Sequence, residues 1–119
     1  MYRISKEFHF SASHRLMGLP DTHPCSRPHG HNYTVTFHFK SSTLNDVGFV
    51  IDYRELEPIK KYLDERLDHQ DLNVVLPVSN PTAENIARFL YDRFAGDYPR
   101  LYRVEVSETP KTQANYERD

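Results

Sequence analysis

His31-Asn32-Tyr33-Thr34-Val35-Thr36-Phe37-His38-Phe39-Lys40 alternates apolar and polar side chains without a break from Tyr33 onward. Tyr33, Val35, Phe37 and Phe39 take the odd positions and Thr34, Thr36, His38 and Lys40 the even ones, a period of two that predicts a β-strand with one buried face. The same rhythm occupies the N-terminus. There Tyr2, Ile4, Phe8, Phe10 and Ala12 alternate with Arg3, Ser5, Glu7 and His9, and Lys6 is the one interruption. The two runs read as an antiparallel pair joined by a long loop over about residues 15–30.

Side chains two apart in an extended chain point the same way. Carried past Ala12, the first strand therefore places His14 on the face of Phe8 and Phe10. Carried backwards, the second places His31 and His29 on the face of Tyr33 and Val35. If the apolar faces pair, three imidazoles converge at one end of one face, and Gly30 gives the backbone between two of them unusual freedom. Immediately upstream, Cys25-Ser26-Arg27-Pro28-His29-Gly30-His31 adds a thiol. Such a stretch is poor core material, because each imidazole carries two polar nitrogens that need partners. Zinc is the first choice for three neutral imidazoles, and three protein ligands leave a fourth position open, which points to catalysis. A metal there would acidify a bound hydroxyl and stabilise developing oxyanion charge. Cys25 can be a nucleophile, a general base or a fourth ligand, and spacing alone leaves all three open. The plain alternative is a polar loop with surface histidines, which is how His9, His23 and His38 are read.

Further along, Asp52 is a suitable N-cap. Leu56, Ile59, Tyr62, Leu63 and Leu67 then recur at three- and four-residue steps, predicting an amphipathic helix of roughly four turns. It ends at Asp68-His69-Gln70-Asp71-Leu72-Asn73. For Asp68-His69 the ordinary reading is a solvated helix C-terminus, where the helix dipole favours histidine; the functional reading is a proton-transfer pair. Asn80-Pro81-Thr82 opens a second helix, with Asn80 or Thr82 as cap and Pro81 suited to its first turn. Its stripe is Ile86, Ala87, Leu90, Tyr91 and Phe94, and Gly96 closes it. A third strand has Tyr102, Val104 and Val106 inward, and the same parity turns Glu108 onto the apolar face, where a carboxylate needs a partner. Pro110 breaks the ladder before a last strand around Thr112 to Tyr116. The order ββααββ predicts an α+β domain: a four-stranded antiparallel sheet with two helices on one face.

At 119 residues the chain suits one domain over 1–119. A mean hydropathy of -0.72 and a 38% apolar fraction are low for a self-sufficient globule, so part of the core is expected from neighbouring subunits. A formal charge of -2, with no run of like charges, gives no field to gather nucleic acid or an anionic membrane. The apolar runs are too short for a membrane span or a secretory signal. One cysteine forms no internal disulfide, so a cytoplasmic, reducing setting is expected.

Five motifs together resemble one family. They are Phe10-Ser11-Ala12-Ser13-His14, Cys25-x-x-x-His29-Gly30-His31-Asn32-Tyr33, Asp68-His69, Pro81-Thr82-Ala83-Glu84-Asn85 and Glu108-Thr109-Pro110. In this order, and over nearly the whole chain, they resemble the 6-pyruvoyltetrahydropterin synthase superfamily. The three residues between Cys25 and His29 are most similar to the bacterial 6-carboxytetrahydropterin synthases of queuosine biosynthesis. The resemblance implies the tunnelling fold, in which trimers close their sheets into a barrel and two trimers stack as a homohexamer with interfacial active sites. It implies a zinc lyase converting 7,8-dihydroneopterin triphosphate to 6-carboxy-5,6,7,8-tetrahydropterin, acetaldehyde and triphosphate. It carries zinc onto His14, His29 and His31, the base onto Cys25, a second proton-transfer pair from another subunit onto Asp68 and His69, the pterin anchor onto Glu108, and a pocket contact onto Thr82. A pyruvoyl- or aldolase-type product is the alternative within the family. A non-catalytic metal- or pterin-binding protein is the alternative outside it.

Overall fold

The structure is a computed structural model covering residues 1–119. Strands β1 (Tyr2–His14) and β2 (His29–Ser41) are the long alternating runs, and they pair antiparallel from Tyr2↔Ser41 to His14↔His29. Helix α1 (Glu57–Tyr62) follows a turn over Tyr53–Leu56 that Asp52 caps by accepting from the Arg54 N–H. It continues as a π-helical stretch over Leu63–Leu67. The remaining elements are β3 (Gln70–Asp71), α2 (Leu72–Val75), α3 (Ala83–Phe94), β4 (Leu101–Thr109) and β5 (Thr112–Glu117), in a sheet ordered β3-β1-β2-β4-β5.

The α+β class and the helix-covered sheet stand, with two corrections. The sheet has five strands rather than four, because Gln70 and Asp71 pair parallel to Ala12 and Ser13. The helices are three rather than two, because Asp71 caps the short α2 by accepting from the Asn73 N–H. Both features fall in the polar Asp68–Asn73 stretch, which is too short to show any hydrophobic period. Thr82, not Asn80, caps α3, and Pro81 precedes the cap instead of entering the first turn.

The core lies between the sheet and the helices. Phe37 on β2 meets the edges of Phe8 on β1 and Phe94 on α3, each with ring centroids 5.7 Å apart. Edge-to-face geometry of this kind suits the aromatic quadrupole. In β4, Val104 and Val106 face the core as their parity predicts, but Tyr102 does not. The β2–β4 register shifts between His38 and Phe39, so Leu101 enters the core and Tyr102 lies under Arg3 and Lys40 on the other face. A bulge reverses the alternation beyond it.

Candidate metal centre and active site

The β1–β2 register sets His14 opposite His29 and Ala12 opposite His31. The three rings close into a near-equilateral group, with centroids 4.6, 5.0 and 4.9 Å apart and every pair edge-on. One ligand atom from each lies within 4.8 Å of the others. The convergence follows from strand parity alone.

Two of the tautomers are set by neighbouring backbone. Nδ1 of His14 is 2.7 Å from the Pro81 carbonyl, and Nδ1 of His29 is 2.7 Å from the Arg27 carbonyl. A carbonyl only accepts, so each Nδ1 carries the proton and each Nε2 presents a lone pair. Those two Nε2 atoms face one another at 3.0 Å. Two lone pairs that close repel unless a cation stands between them. Nε2 of His31 is buried with no hydrogen-bond partner, although a Glu108 oxygen lies 3.2 Å away. Burial holds the His31 pKa below the ordinary imidazole value, against the upward pull of Glu108, and the other two histidines lower it further. A neutral ring with an unused buried nitrogen completes a donor set that fits a metal ion preferring imidazole. The three histidines can hold a metal.

The Tyr33 hydroxyl also reaches Nδ1 of His14, at 3.2 Å, and burial first, then the Glu108 charge, push its pKa up so that it keeps its proton. Neither this hydroxyl nor the Pro81 and Arg27 carbonyls were among the expected site groups. Tyr33 shares the parity of His31 and was legible on that ground; backbone carbonyls carry no sequence signal.

Glu108 stands at the end of β4 on the histidine side, as expected, and with His31 it borders an open cavity of about 850 Å³ that no large apolar side chain lines. Asp68 and His69 lie at the β1 edge. The Ser11 N–H donates to Oδ1 of Asp68 at 2.9 Å, and the His69 N–H donates back to the Ser11 carbonyl at 2.6 Å. His69 has φ of +60 and an imidazole that is 83% exposed, 3.7 Å from Oδ2 of Asp68. Left-handed backbone in a non-glycine residue is uncommon and tends to mark functional sites. His69 and His31 border a second cleft of about 430 Å³, with Ser11, Ser13 and Asn32 between them.

Cys25 sits half-buried in a single turn over Pro24–Ser26, and its thiol is not part of the three-histidine group. The Thr82 hydroxyl accepts from the Asn85 N–H, so it serves as a helix cap. The neighbouring Pro81 is the residue that touches the site. His9 is exposed, and His23 caps the Cys25 turn by accepting from its N–H. His38 is not the surface residue expected: it is half-buried between Glu105 and Arg103, because even positions of β2 face a polar sheet surface that is partly covered.

A family profile described as 6-pyruvoyl tetrahydropterin synthase matches residues 3–119. The 6-carboxy-5,6,7,8-tetrahydropterin synthase of Synechocystis sp. is 34% identical over 98% of this chain and 93% of its own. The 6-pyruvoyl tetrahydrobiopterin synthase of Homo sapiens is 33% identical over 90% of this chain and 85% of its own. Among solved structures, the Caenorhabditis elegans 6-pyruvoyl tetrahydropterin synthase superposes with a TM-score of 0.87 at 25% identity, covering 99% of this chain and 96% of that one. The histidine triangle therefore lies in a chain that matches one family from end to end: it belongs to the 6-pyruvoyl tetrahydropterin synthase family.

Proposed function

We propose that this chain is a zinc-dependent 6-carboxytetrahydropterin synthase. It converts 7,8-dihydroneopterin triphosphate and one water to 6-carboxy-5,6,7,8-tetrahydropterin, acetaldehyde and triphosphate, for 7-deazapurine (queuosine) synthesis. The observation that supports the reading is the histidine group, whose His14 and His29 Nε2 atoms face one another at 3.0 Å and whose three ligand atoms all lie within 4.8 Å. His14, His29 and His31 hold the zinc. When bound, it supplies Lewis-acid polarisation and lowers the pKa of a substrate side-chain hydroxyl.

The remaining steps are proton transfers by the chain's own groups. Glu108 accepts adjacent N–H donors of the aminopyrimidinone ring in two parallel hydrogen bonds and so orients the pterin. Cys25, as thiolate, removes a proton from the substrate side chain. The Asp68–His69 pair moves a second proton, with Asp68 fixed by the Ser11 N–H. An exposed His69 suits a group that completes its site against another subunit. Assembly as two stacked trimers is supported by sheet edges left open: β3 covers only Ala12 and Ser13 of β1, and the outer edge of β5 has no partner. Such edges call for partners. Thr82 caps α3 as an acceptor, and its hydroxyl proton is left to serve as a pocket contact. The single cysteine fits a reducing cytoplasm.

The pyruvoyl product is the second reading, favoured by the human relative's nearly equal identity. Mass analysis of the pterin formed from 7,8-dihydroneopterin triphosphate separates them, since carboxy, pyruvoyl and hydroxymethyl products differ in mass. The carboxy product is expected; no conversion by metal-loaded protein sinks the enzyme reading. Cys25→Ala is expected to keep its zinc and lose turnover, and loss of zinc would make the thiol an obligate ligand.

A further inference from the structure

The segment joining β1 to β2, residues 15–28, contains one regular element, the turn that carries Cys25. At its far end the Arg27 carbonyl meets Nδ1 of His29, and at its near end the segment is held through Arg15 and Met17, with Leu16 between them tied to the cysteine turn. Both backbone groups of Arg15 pair with the Asn73 side-chain amide, N–H to Oδ1 at 2.8 Å and Nδ2 to carbonyl at 2.9 Å. Both backbone groups of Met17 pair with the Asn80 amide in the same way, at 2.7 and 3.0 Å. Leu16, between them, donates its N–H to the Cys25 carbonyl at 2.7 Å.

This is the hydrogen-bonding pattern of an extended strand, in which residues i and i+2 present N–H and C=O to one side and i+1 to the other. On one side the partner strand is replaced by two asparagine amides, each offering one donor and one acceptor as a peptide group does. On the other side the partner is Cys25. Leu16 to Cys25 is the one backbone hydrogen bond joining the β1 end of the segment to the cysteine turn. Asn73 is anchored in α2 by its own N–H on Asp71, and Asn80 is next to Pro81, whose carbonyl orients His14. The elements that border the histidine group thus also fix the start of the cysteine segment.

We propose that Asn73 and Asn80 are positioning residues that hold the Cys25 turn in place relative to the three histidines. The proposal rests on the reading of Cys25 as the proton-transfer group. Aspartate at either position is nearly isosteric and still accepts from the backbone N–H, but it cannot donate, and it turns a second oxygen toward the carbonyl. Asn73→Asp is the cleaner test, because Asn73 does not adjoin Pro81.

The experiment uses full-length, zinc-loaded protein and reads three quantities. Misplacing a reacting group by about 1 Å costs on the order of 10²-fold, so kcat is expected to fall roughly 10- to 100-fold with KM little changed. Zinc content per chain is expected to match wild type. Iodoacetamide modification of Cys25 is expected to speed up roughly tenfold, the factor expected when one or two hydrogen bonds no longer resist local opening. Cys25 alkylated at the wild-type rate in folded Asn73→Asp overturns the proposal, whatever turnover does. A wild type that converts no substrate refutes the functional reading instead, and the alkylation rates still decide the clamp. If Asn73→Asp does not fold, hydrogen exchange on wild type decides: slow exchange of the Arg15, Leu16 and Met17 amides is expected, and exchange at the solvent rate overturns the proposal.

Discussion

His14 and His69 are both imidazoles at the ends of ordered elements, and they are held in opposite ways. His14 is 1% exposed, on an unstrained strand, with its Nδ1 committed to the Pro81 carbonyl. His69 has an 83% exposed ring on left-handed backbone, and its main chain rather than its side chain makes the firm contact, with Ser11. The three-histidine group is therefore formed within one chain, where paired strands place the rings and backbone carbonyls fix two of them. The Asp68–His69 corner is an edge feature, with its geometry set by turns and its ring left exposed. A preformed cluster costs little ordering on metal binding.

The largest expected effect tests the three-histidine group. His14→Ala removes a buried ring and strips the Pro81 carbonyl of its partner, so metal-free protein should lose about 2–4 kcal/mol of unfolding free energy. Zinc content and turnover should fall to background. Urea unfolding and metal analysis check both. Full zinc retention would end the claim that the triangle is the metal site.

The next effect separates side chain from backbone at His69. Asparagine tolerates φ near +60, so His69→Asn should change unfolding free energy by less than about 0.5 kcal/mol. Removing an acid–base group should nevertheless lower turnover roughly 10²- to 10⁴-fold. His69→Val, β-branched in a left-handed position, should add a stability loss of about 1–2 kcal/mol. Equal stability of the Asn and Val variants would mean that the strained backbone is not what sets this corner.

The same contrast explains how much was legible in the sequence. Parity along β1, β2 and β4 located His14, His29, His31 and Glu108 on one face, because every step from sequence to side-chain direction is fixed by the pleat. It failed at Tyr102, where a bulge inserts a residue that no local pattern announces. The Asp68–Asn73 stretch hid a strand and a helix, since two- and four-residue elements are made by hydrogen bonds to Ser11 and Asp71 rather than by hydrophobic period. In the sequence Asn73 reads as part of the polar cluster that ends the first helix and Asn80 as a helix cap. Their role depends on contacts with Arg15 and Met17, far away in sequence.

The smallest effect is a pH dependence of the metal-free protein. Burial lowers the pKa of His31, and burial followed by the Arg103 charge lowers that of His38. Both rings bind a proton more readily in the unfolded chain, near the ordinary imidazole value of about 6.5. Their contribution to stability is therefore fully present above that value and is lost as pH falls below it, through the lowered native values. Zinc should enlarge the His31 part, because a ligating nitrogen resists protonation and widens the difference in bound protons from the unfolded chain, and it should leave the His38 part, which lies between Glu105 and Arg103 away from the triangle. Thermal midpoints between about pH 7.5 and 5 should accordingly fall more steeply with zinc than without it. His38→Gln should flatten the slope in both states, whereas His31→Gln should also shrink the extra slope that zinc adds. Identical slopes with and without zinc would break the assignment of His31 to the metal.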